Sequence, residues 1–401
     1  MRFSRSLVAL GLAFAVGSAW SAVEGVADAT VGYENPVWPE DSPDPTVWNG
    51  GDGNWYSSST CQRILKSRDL VHWEDTGKSL LEESEVRWIK SQWPNIWAPD
   101  VVKIGEWYNL YLTYHNTGAH TAIAAYRSKS PTGPFVDRTI IVRSEGNGKF
   151  EVIDPEVVVD PETKRTWLFF GHGDVRRVEL TADGRAQKPG AAVEHVAGWP
   201  IGAKSVPSGA PHWLVGSSEG AYLHRRGGKW YLFVSQGNWA DHTYQVAVGR
   251  ADRIDGVFVD RQGRKMADGY ATPILTSGKD DEFFGPGHNG EIFTSKSGRD
   301  YMFYHCHWKK LAKQPGGYCP RPMFLQEIFW DADGWPYFKN GGKPQKTCEA
   351  GFAVPAGATK GVWHVPEGAA QEIALERAGT DVRTVLPRLG AWQCGYLSFG
   401  E

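Results

Sequence analysis

A short aromatic segment that recurs along the chain most constrains its fold. Each copy opens with Trp or Tyr and continues with the alternation typical of a β-strand. A Gly- or Asp-containing turn sequence precedes each copy, as in a β-hairpin. The copies begin at Trp55, Trp107, Trp167, Trp230 and Tyr301, so the spacings are 52, 60, 63 and 71 residues. Each repeat is therefore long enough for about four strands, since strands usually have 3–10 residues.

Five units of this size predict an all-β fold, a five-bladed β-propeller. A single blade cannot bury both of its faces, so neighbouring blades must stack. The abundance of aromatic residues (19 Trp, 15 Tyr, 17 Phe) and of Gly and Pro (47 and 24) also favours strands and turns. The alternative is an aperiodic β-sandwich, or two domains that share turn chemistry by chance. No long stretch has a helical period, which argues against a TIM barrel.

The two ends of the chain differ from the repeat. Residues 1–22 combine Arg2 and Arg5, a short apolar run and a small-residue end, which predicts a secretory signal peptide. The apolar run is shorter than the roughly 20 residues of a membrane helix. We therefore expect a propeller over residues 33–342, exported to the periplasm or the medium and not held in a membrane. Residues 343–401 form a short C-terminal extension of unassigned role.

Charge and cysteine content limit the possible partners. Lys plus Arg total 43 and Asp plus Glu total 46, so nothing in the charge favours nucleic acid or an anionic membrane. A neutral polysaccharide fits this balance, and we expect a monomer. Export permits disulfides, and the expected pairs are Cys306 with Cys319 and Cys348 with Cys394. The fifth cysteine is left unpaired, and no CxxC motif indicates a zinc or redox site.

Three carboxylates are candidates for catalysis. Asp44 and Asp154 each stand before a proline and an apolar strand, and Glu219 stands before Gly220 at the start of another. Proline favours an extended conformation for the residue before it. Innermost strands line the channel of a propeller, so these side chains are expected to converge there. One base, one protonated acid and a third anion that keeps the acid protonated would suit glycoside hydrolysis. The alternative is a set of ordinary turn and rim residues.

The ordered motifs resemble glycoside hydrolase family 43, and within it the secreted α-1,5-L-arabinanases, over residues 33–338. The matching segments are Asp44-Pro45, Trp97-Ala98-Pro99-Asp100, Ile153-Asp154-Pro155, Glu219-Gly220, Thr243–Ala251, Gly285–Asn289, Arg321-Pro322 and Trp330–Pro336. The resemblance implies a five-bladed propeller and an inverting mechanism. Two departures, Pro43 where many arabinanases have His and Gly220-Ala221 after the acid, leave the exact sugar open.

The resemblance also implies a role for each carboxylate. Asp44 is the general base, Asp154 modulates the pKa of the acid and orients it, and Glu219 is the general acid. In inverting enzymes the base and the acid are about 6.5–9.5 Å apart, with room for a water. His288 is implied as the one protein ligand of a structural calcium ion. Imidazole is an unusual calcium ligand, and the alternative is a histidine that hydrogen-bonds the carboxylates.

Other residues are candidates for binding rather than chemistry. Trp97 is expected to stack on a sugar ring, because the C–H faces of sugars are apolar. Arg321 is a candidate for binding the sugar or a catalytic carboxylate. His305 and His307 are expected to be solvent-facing or hydrogen-bonded rather than metal ligands. Two further residues, His172 and Asn238, follow hairpin strands and could reach the cleft.

Together these patterns predict a secreted inverting enzyme that cleaves α-1,5-L-arabinofuranosidic bonds of arabinan, a plant cell-wall polysaccharide. The enzymatic alternative is an exo-acting α-L-arabinofuranosidase or β-xylosidase of the same family. A carbohydrate-binding propeller without activity is the alternative from another class. The three carboxylates favour an enzyme over that alternative.

Overall fold

The computed structural model describes residues 31–116, 120–144, 150–199, 218–295, 298–313, 317 and 319–350, together with three short strands between 360 and 398. The predicted signal peptide over residues 1–22 lies outside these residues. Within them, no helix is long and apolar enough to cross a membrane.

Most of the described chain is antiparallel β-sheet arranged as five blades. Strand β1 (Val31–Glu34) precedes blade 1, which contains β2 (Thr46–Asn49), β3 (Trp55–Ser58), β4 (Arg63–Ser67) and β5 (Trp73–Ser79). Helix α1 (Glu83–Lys90) leads to blade 2, with β6 (Asn95–Ile104), β7 (Trp107–Asn116), β8 (His120–Ser128) and β9 (Val136–Arg143). Blade 3 contains β10 (Glu156–Val159), β11 (Thr166–Phe170), β12 (Asp174–Leu180) and β13 (Glu194–Gly198).

Blades 4 and 5 are also antiparallel sheets, with the innermost strand first in the chain. Blade 4 contains β14 (Ser218–Arg226), β15 (Lys229–Gln236), β16 (Gln245–Ala251), a 3-10 turn (Met266–Asp268) and β17 (Thr272–Leu275). Blade 5 contains β18 (Phe283–Gly287), β19 (Ile292–Thr294), β20 (Asp300–Trp308), β21 (Met323–Trp330) and β22 (Pro336–Tyr337). A four-residue helical segment α2 (Lys339–Gly342) and strands β23 (Thr347–Ala350), β24 (Lys360–His364), β25 (Gln371–Ala374) and β26 (Tyr396–Ser398) complete the described elements.

The recurring aromatic segments form the strand that pairs with the innermost strand of every blade. These strands are β3, β7, β11, β15 and β20, and β20 pairs with both β18 and β19. Their side chains pack between blades; one cluster joins Trp167 and Phe169 of blade 3 to Trp230 and Leu232 of blade 4. The prediction of a five-bladed propeller is therefore confirmed, and much of the tryptophan excess packs the blades together.

A ring of hydrogen bonds joins the innermost strands. In each blade one side-chain oxygen accepts a hydrogen bond from a backbone N–H of the next blade. The donor–acceptor pairs are Val101 to Thr46, Val157 to Asp100, Leu223 to Glu156, Ile292 to Tyr222 and Val47 to Glu291. The last pair links blade 5 to blade 1 and closes the circle. Asp100, expected to be structural, is a member of this ring, and burial raises its pKa to about 7.

The N-terminal strand also meets the start of the C-terminal extension. Strand β1 pairs antiparallel with β23, with Tyr33 opposite Cys348. Beside this pair, the Asn35 amide donates to the Leu325 carbonyl at 2.7 Å and accepts from the Leu325 N–H at 2.9 Å. These contacts attach the beginning of the extension to blade 5. Farther along, β24–β26 form a separate three-stranded sheet.

The disulfide predicted between Cys306 and Cys319 is wrong, because both residues are free thiols. On β20 the Cys306 thiol donates to the Phe284 carbonyl at 3.3 Å. Cys319 instead lies beside His307, the next residue of β20, whose ring contacts the Cys319 carbonyl. Neighbouring strand residues point to opposite faces, so the two sulfurs are not brought together. Cys348 is also a free thiol, and its predicted partner Cys394 lies outside the described residues.

Candidate active site

A cavity of about 720 Å³ opens where the innermost strands begin. All five blades contribute to its wall. The cavity contains every site residue predicted from the sequence, namely Asp44, Asp154, Glu219, Trp97, Arg321 and His288. His172 and Asn238 line it as well.

The backbone turns into this cavity in the same way in each blade. One residue near the start of each innermost strand has a left-handed φ; these are Asp44 (59°), Ala98 (40°), Asp154 (55°), Gly220 (57°) and His288 (42°). The expectation that proline holds Asp44 and Asp154 extended is therefore wrong. Aspartate tolerates this region better than most residues. Each left-handed residue, or the one before it, is a predicted site residue.

Gly220 shows why one of these turns requires glycine. A Cβ atom added there would lie 3.0 Å from the ring of His288, and φ is positive. The pairing of β14 with β15 is also interrupted between Glu219 and Tyr222. The close approach lets the acidic residue and the histidine occupy neighbouring walls of the cavity.

Asp44 is surrounded by groups that favour its charged form. Thr60 donates to Oδ2 at 2.6 Å, and the nearest nitrogens of His288 and Arg321 lie 3.2 and 3.5 Å from Oδ1. Its backbone N–H donates to Nδ1 of His305 at 3.0 Å. Burial alone raises the pKa of Asp44, but these three side chains outweigh it and hold the pKa below its usual value. Asp44 is therefore a carboxylate at neutral pH.

The pKa of Asp154 is shifted in the opposite direction from that of Asp44. The Asp154 side chain is buried, and Oδ2 accepts a hydrogen bond from the Gly220 N–H at 3.2 Å. Burial raises the pKa of Asp154 to about 7; His288 opposes the rise, and the Glu219 and Asp44 carboxyls add to it. Near neutral pH this group exchanges between its protonated and charged forms.

The Glu219 carboxyl is held from two sides. The Tyr244 hydroxyl donates to Oε1 at 2.7 Å. On the other side, Nε2 of His172 lies 3.6 Å from Oε2, and Nδ1 of the same ring lies 2.6 Å from Glu151. The Glu219 side chain is 12% exposed, so it still faces the cavity.

Two indoles stand on the cavity wall. Trp97 stacks on His115, with ring centroids 4.0 Å apart and planes at 26°. Trp239 is 43% exposed, and the guanidinium carbon of Arg321 lies 4.9 Å from the centroid of its ring. Trp239 was not predicted. An aromatic residue in the turn that follows an aromatic strand is the sequence pattern that could have indicated it.

The two other histidines considered from the sequence, His305 and His307, are hydrogen-bonded but not solvent-facing. His305 and His307 are both fully buried on β20. Nδ1 of His305 accepts from the backbone of Asp44, and the His307 ring contacts the carbonyls of Cys319 and Trp239. Burial lowers the pKa of His305 well below its usual value. A neutral ring is consistent with its role as an acceptor.

The sequence comparison decides the family. Residues 33–336 match the profile of glycosyl hydrolases family 43. The chain belongs to this family. It is therefore a glycoside hydrolase, and the resemblance seen in the motifs is confirmed.

Several relatives align over most of their length. An extracellular exo-α-(1→5)-L-arabinofuranosidase of Cellvibrio japonicus is 26% identical, over 74% of this chain and 86% of the relative. An extracellular endo-α-(1→5)-L-arabinanase of Bacillus subtilis is 28% identical, over 74% and 87% respectively. Exo- and endo-acting enzymes are thus both among the relatives.

Solved structures agree with the fold. An α-L-arabinanase of Cellvibrio cellulosa superposes with a TM-score of 0.62 at 24% identity, covering 74% of this chain and 95% of that one. An exo-1,5-α-L-arabinanase from a bovine ruminal metagenomic library gives a TM-score of 0.59 at 25% identity, covering 75% and 97%. The chain therefore shares its overall fold with these solved arabinanase structures.

The calcium expected at His288 has few protein ligands available. In the described part of the chain, no three His, Cys, Asp or Glu residues form a group that could hold a metal. Nδ1 of His288 already faces the Asp44 carboxylate. Calcium takes six to eight oxygen ligands, so an ion on this imidazole would depend mainly on water.

Proposed function

We propose that this family 43 enzyme is an exported, inverting hydrolase of the α-1,5-L-arabinofuranosidic bonds of arabinan. The observation that carries the proposal is the pairing of the ionised Asp44 with Glu219 in one cavity. The relatives named for α-1,5-linked arabinan support the choice of sugar. Two relatives named extracellular support export by the signal peptide predicted over residues 1–22.

The proposed reaction uses the carboxyl groups in distinct ways. Glu219 gives its proton to the glycosidic oxygen as the bond to the anomeric carbon breaks. Asp44 takes a proton from water as its oxygen attacks that carbon from the opposite face. The lowered pKa of Asp44 suits a base, because a carboxylate must be unprotonated to accept this proton. The products are the inverted sugar and a free hydroxyl on the leaving chain.

Asp154 is assigned to modulation of the acid. Its Oδ2 fixes the Gly220 N–H, directly after Glu219, and so orients the acid through the backbone. When Asp154 is charged, like-charge repulsion disfavours loss of the proton from Glu219. A pKa of about 7 allows Asp154 to respond to the charge of its neighbours during turnover.

Two side chains are assigned to binding. Trp97 offers an indole on the cavity wall, and one face of this indole is stacked on His115. Arg321 lies close enough to Asp44 to orient the carboxylate, and it also lines the cavity, where its guanidinium can donate to sugar hydroxyls. Both roles place the sugar between blade 2 and blade 5.

The product pattern tests the substrate and the mode of action. Linear α-1,5-arabinan and xylo-oligosaccharides are incubated separately with the enzyme, and product lengths are followed by chromatography. Mixed short arabino-oligosaccharides are the expected result, and they indicate internal cleavage. Arabinose alone from the start would identify an exo-acting enzyme. Xylose release would identify a β-xylosidase, and no product from either substrate would favour a binding protein.

Calcium is proposed as a structural ion on His288, and chelation tests it. After EDTA treatment and dialysis, the melting temperature is expected to fall by about 5 °C, because bound ligand stabilises only the folded state. Adding back calcium, but not the same concentration of magnesium, should restore it. Unchanged melting temperature and unchanged activity after chelation would remove calcium from the proposal.

A further inference from the structure

An ion pair lies beside Glu219, the proposed acid, and it has no part in the roles proposed above for the three carboxylates. Glu151 precedes β10 and His172 follows β11, and their backbones form an isolated bridge. Nδ1 of His172 lies 2.6 Å from Oε2 of Glu151. Both side chains line the cavity and are about one-third exposed, at 31% and 38%. The pair is therefore held in place by backbone and side chain together, next to the substrate space.

The surroundings of His172 are strongly acidic. The charged groups that face it are Glu151 before β10, Asp154 at the start of blade 3 and Glu219 on blade 4. Burial alone lowers the pKa of His172, but the hydrogen bond with Glu151 and these charges raise it to about 9. The same hydrogen bond lowers the pKa of Glu151, which His115 of blade 2 also faces. At neutral pH the pair is an imidazolium held by a carboxylate.

The second nitrogen of this imidazolium faces the acid. Nε2 of His172 is 3.6 Å from Oε2 of Glu219, and the Tyr244 hydroxyl donates to Oε1 at 2.7 Å. Each carboxyl oxygen therefore has its own neighbouring donor. The distance of 3.6 Å is too long for a hydrogen bond, but catalytic contacts often shorten only when substrate is bound.

We propose that His172, held by Glu151, is a positioning residue that fixes the Glu219 carboxyl and stabilises the carboxylate formed when Glu219 protonates the leaving group. This inference rests on the proposed role of Glu219 as the acid. The proton passes from Glu219 to the glycosidic oxygen, and the bonding pair leaves with that oxygen as a neutral hydroxyl. His172 keeps its own proton and faces the new negative charge.

The variant His172→Gln tests the charge, because an amide still offers an N–H donor but is neutral. A hydrogen bond to a charged group is roughly twice as strong as a neutral one, and this variant loses only that difference. The kcat on arabinan should therefore fall about 5- to 10-fold, with KM within about twofold. In the wild type, kcat should show an alkaline limb where His172 loses its proton, near its pKa of about 9, and this limb should be missing from the pH–activity profile of His172→Gln. An alkaline limb that is unchanged in the variant would overturn the proposal.

Glu151→Gln provides a second and independent test. His172 remains, but it loses the carboxylate that keeps it protonated, so its pKa falls toward the neutral range. The kcat of this variant should approach the wild-type value at acid pH and drop below it as pH rises. His172→Gln should show no such recovery at acid pH. Equal loss for Glu151→Gln at every pH would contradict a role for the imidazolium charge. Glu162→Gln, an exposed change in the β10–β11 turn, is the matched control and should behave as wild type.

A substrate with a good leaving group separates this inference from the proposed function. A nitrophenyl α-1,5-arabinotrioside needs little proton donation, so His172→Gln should lose much less activity on it than on arabinan. Equal losses on both substrates would mean that His172 has only a structural role. If Glu219 is not the acid, the result is different: Glu219→Gln would then hydrolyse arabinan at the wild-type rate, independently of the results for the His172 variant. Melting temperatures of all variants confirm that they are folded.

Discussion

Replacing Glu219 by glutamine is expected to lower kcat on arabinan by about 10²–10⁴-fold, the usual contribution of general acid–base catalysis. Glutamine keeps the size of the side chain and an oxygen that accepts from Tyr244, but its amide group is not acidic and cannot transfer a proton to the leaving oxygen. Arabino-oligosaccharide binding, measured by titration calorimetry, should be retained. Reducing-end release measures the loss of turnover.

The leaving group distinguishes an acid from a residue that only binds. On a nitrophenyl arabinotrioside the Glu219→Gln variant should recover most of its activity, because nitrophenolate leaves without a proton. The control is again Glu162→Gln, which makes the same chemical change on an exposed glutamate. Near-normal turnover of arabinan by Glu219→Gln would remove Glu219 from the role of acid.

Asp44→Asn is expected to cause a loss of similar size, about 10²–10⁴-fold, that a good leaving group does not restore. The water still has to lose a proton, and an amide cannot accept it. The fold should persist, because asparagine also adopts the left-handed φ of 59° that Asp44 has. Turnover of arabinan and of the nitrophenyl substrate are measured side by side.

Asp137 supplies a matched control for this change. It also has a left-handed φ, 63°, but its side chain is half exposed on β9, away from the cavity. Asp137→Asn should therefore leave kcat unchanged. Restoration of Asp44→Asn by the nitrophenyl leaving group would mean that the base and the acid have been exchanged in the assignment.

Much of the fold was predictable because its signal is local. A turn followed by an alternating aromatic strand recurs in every blade, and the second strands at Trp107 and Trp230 begin within one residue of the predicted segments. The pairing of β1 with β23 was not predicted. It depends on residues more than 300 positions apart, and neither strand carries an aromatic repeat.

The candidate site was predicted only where motifs mark it. Asp44, Asp154 and Glu219 stand in recognisable segments, and the propeller brings all three to one cavity. Thr60 and Glu151 lie outside these segments and were not predicted. His172 was a candidate for the cleft and Tyr244 stands in a matched segment, but sequence spacing does not show that both lie beside Glu219. The left-handed turns at both aspartates were missed, because the following proline indicated extended backbone.

The configuration of the first product tests the central claim most directly. Linear α-1,5-arabinan is hydrolysed in the NMR tube, and the anomeric proton signals are followed from the first minutes, before mutarotation. With Asp44 activating water on the face opposite Glu219, the β-anomer of the new reducing end must appear first and the α-anomer only later. Appearance of the α-anomer first would show net retention and contradict the arrangement of base, water and acid proposed for this cavity.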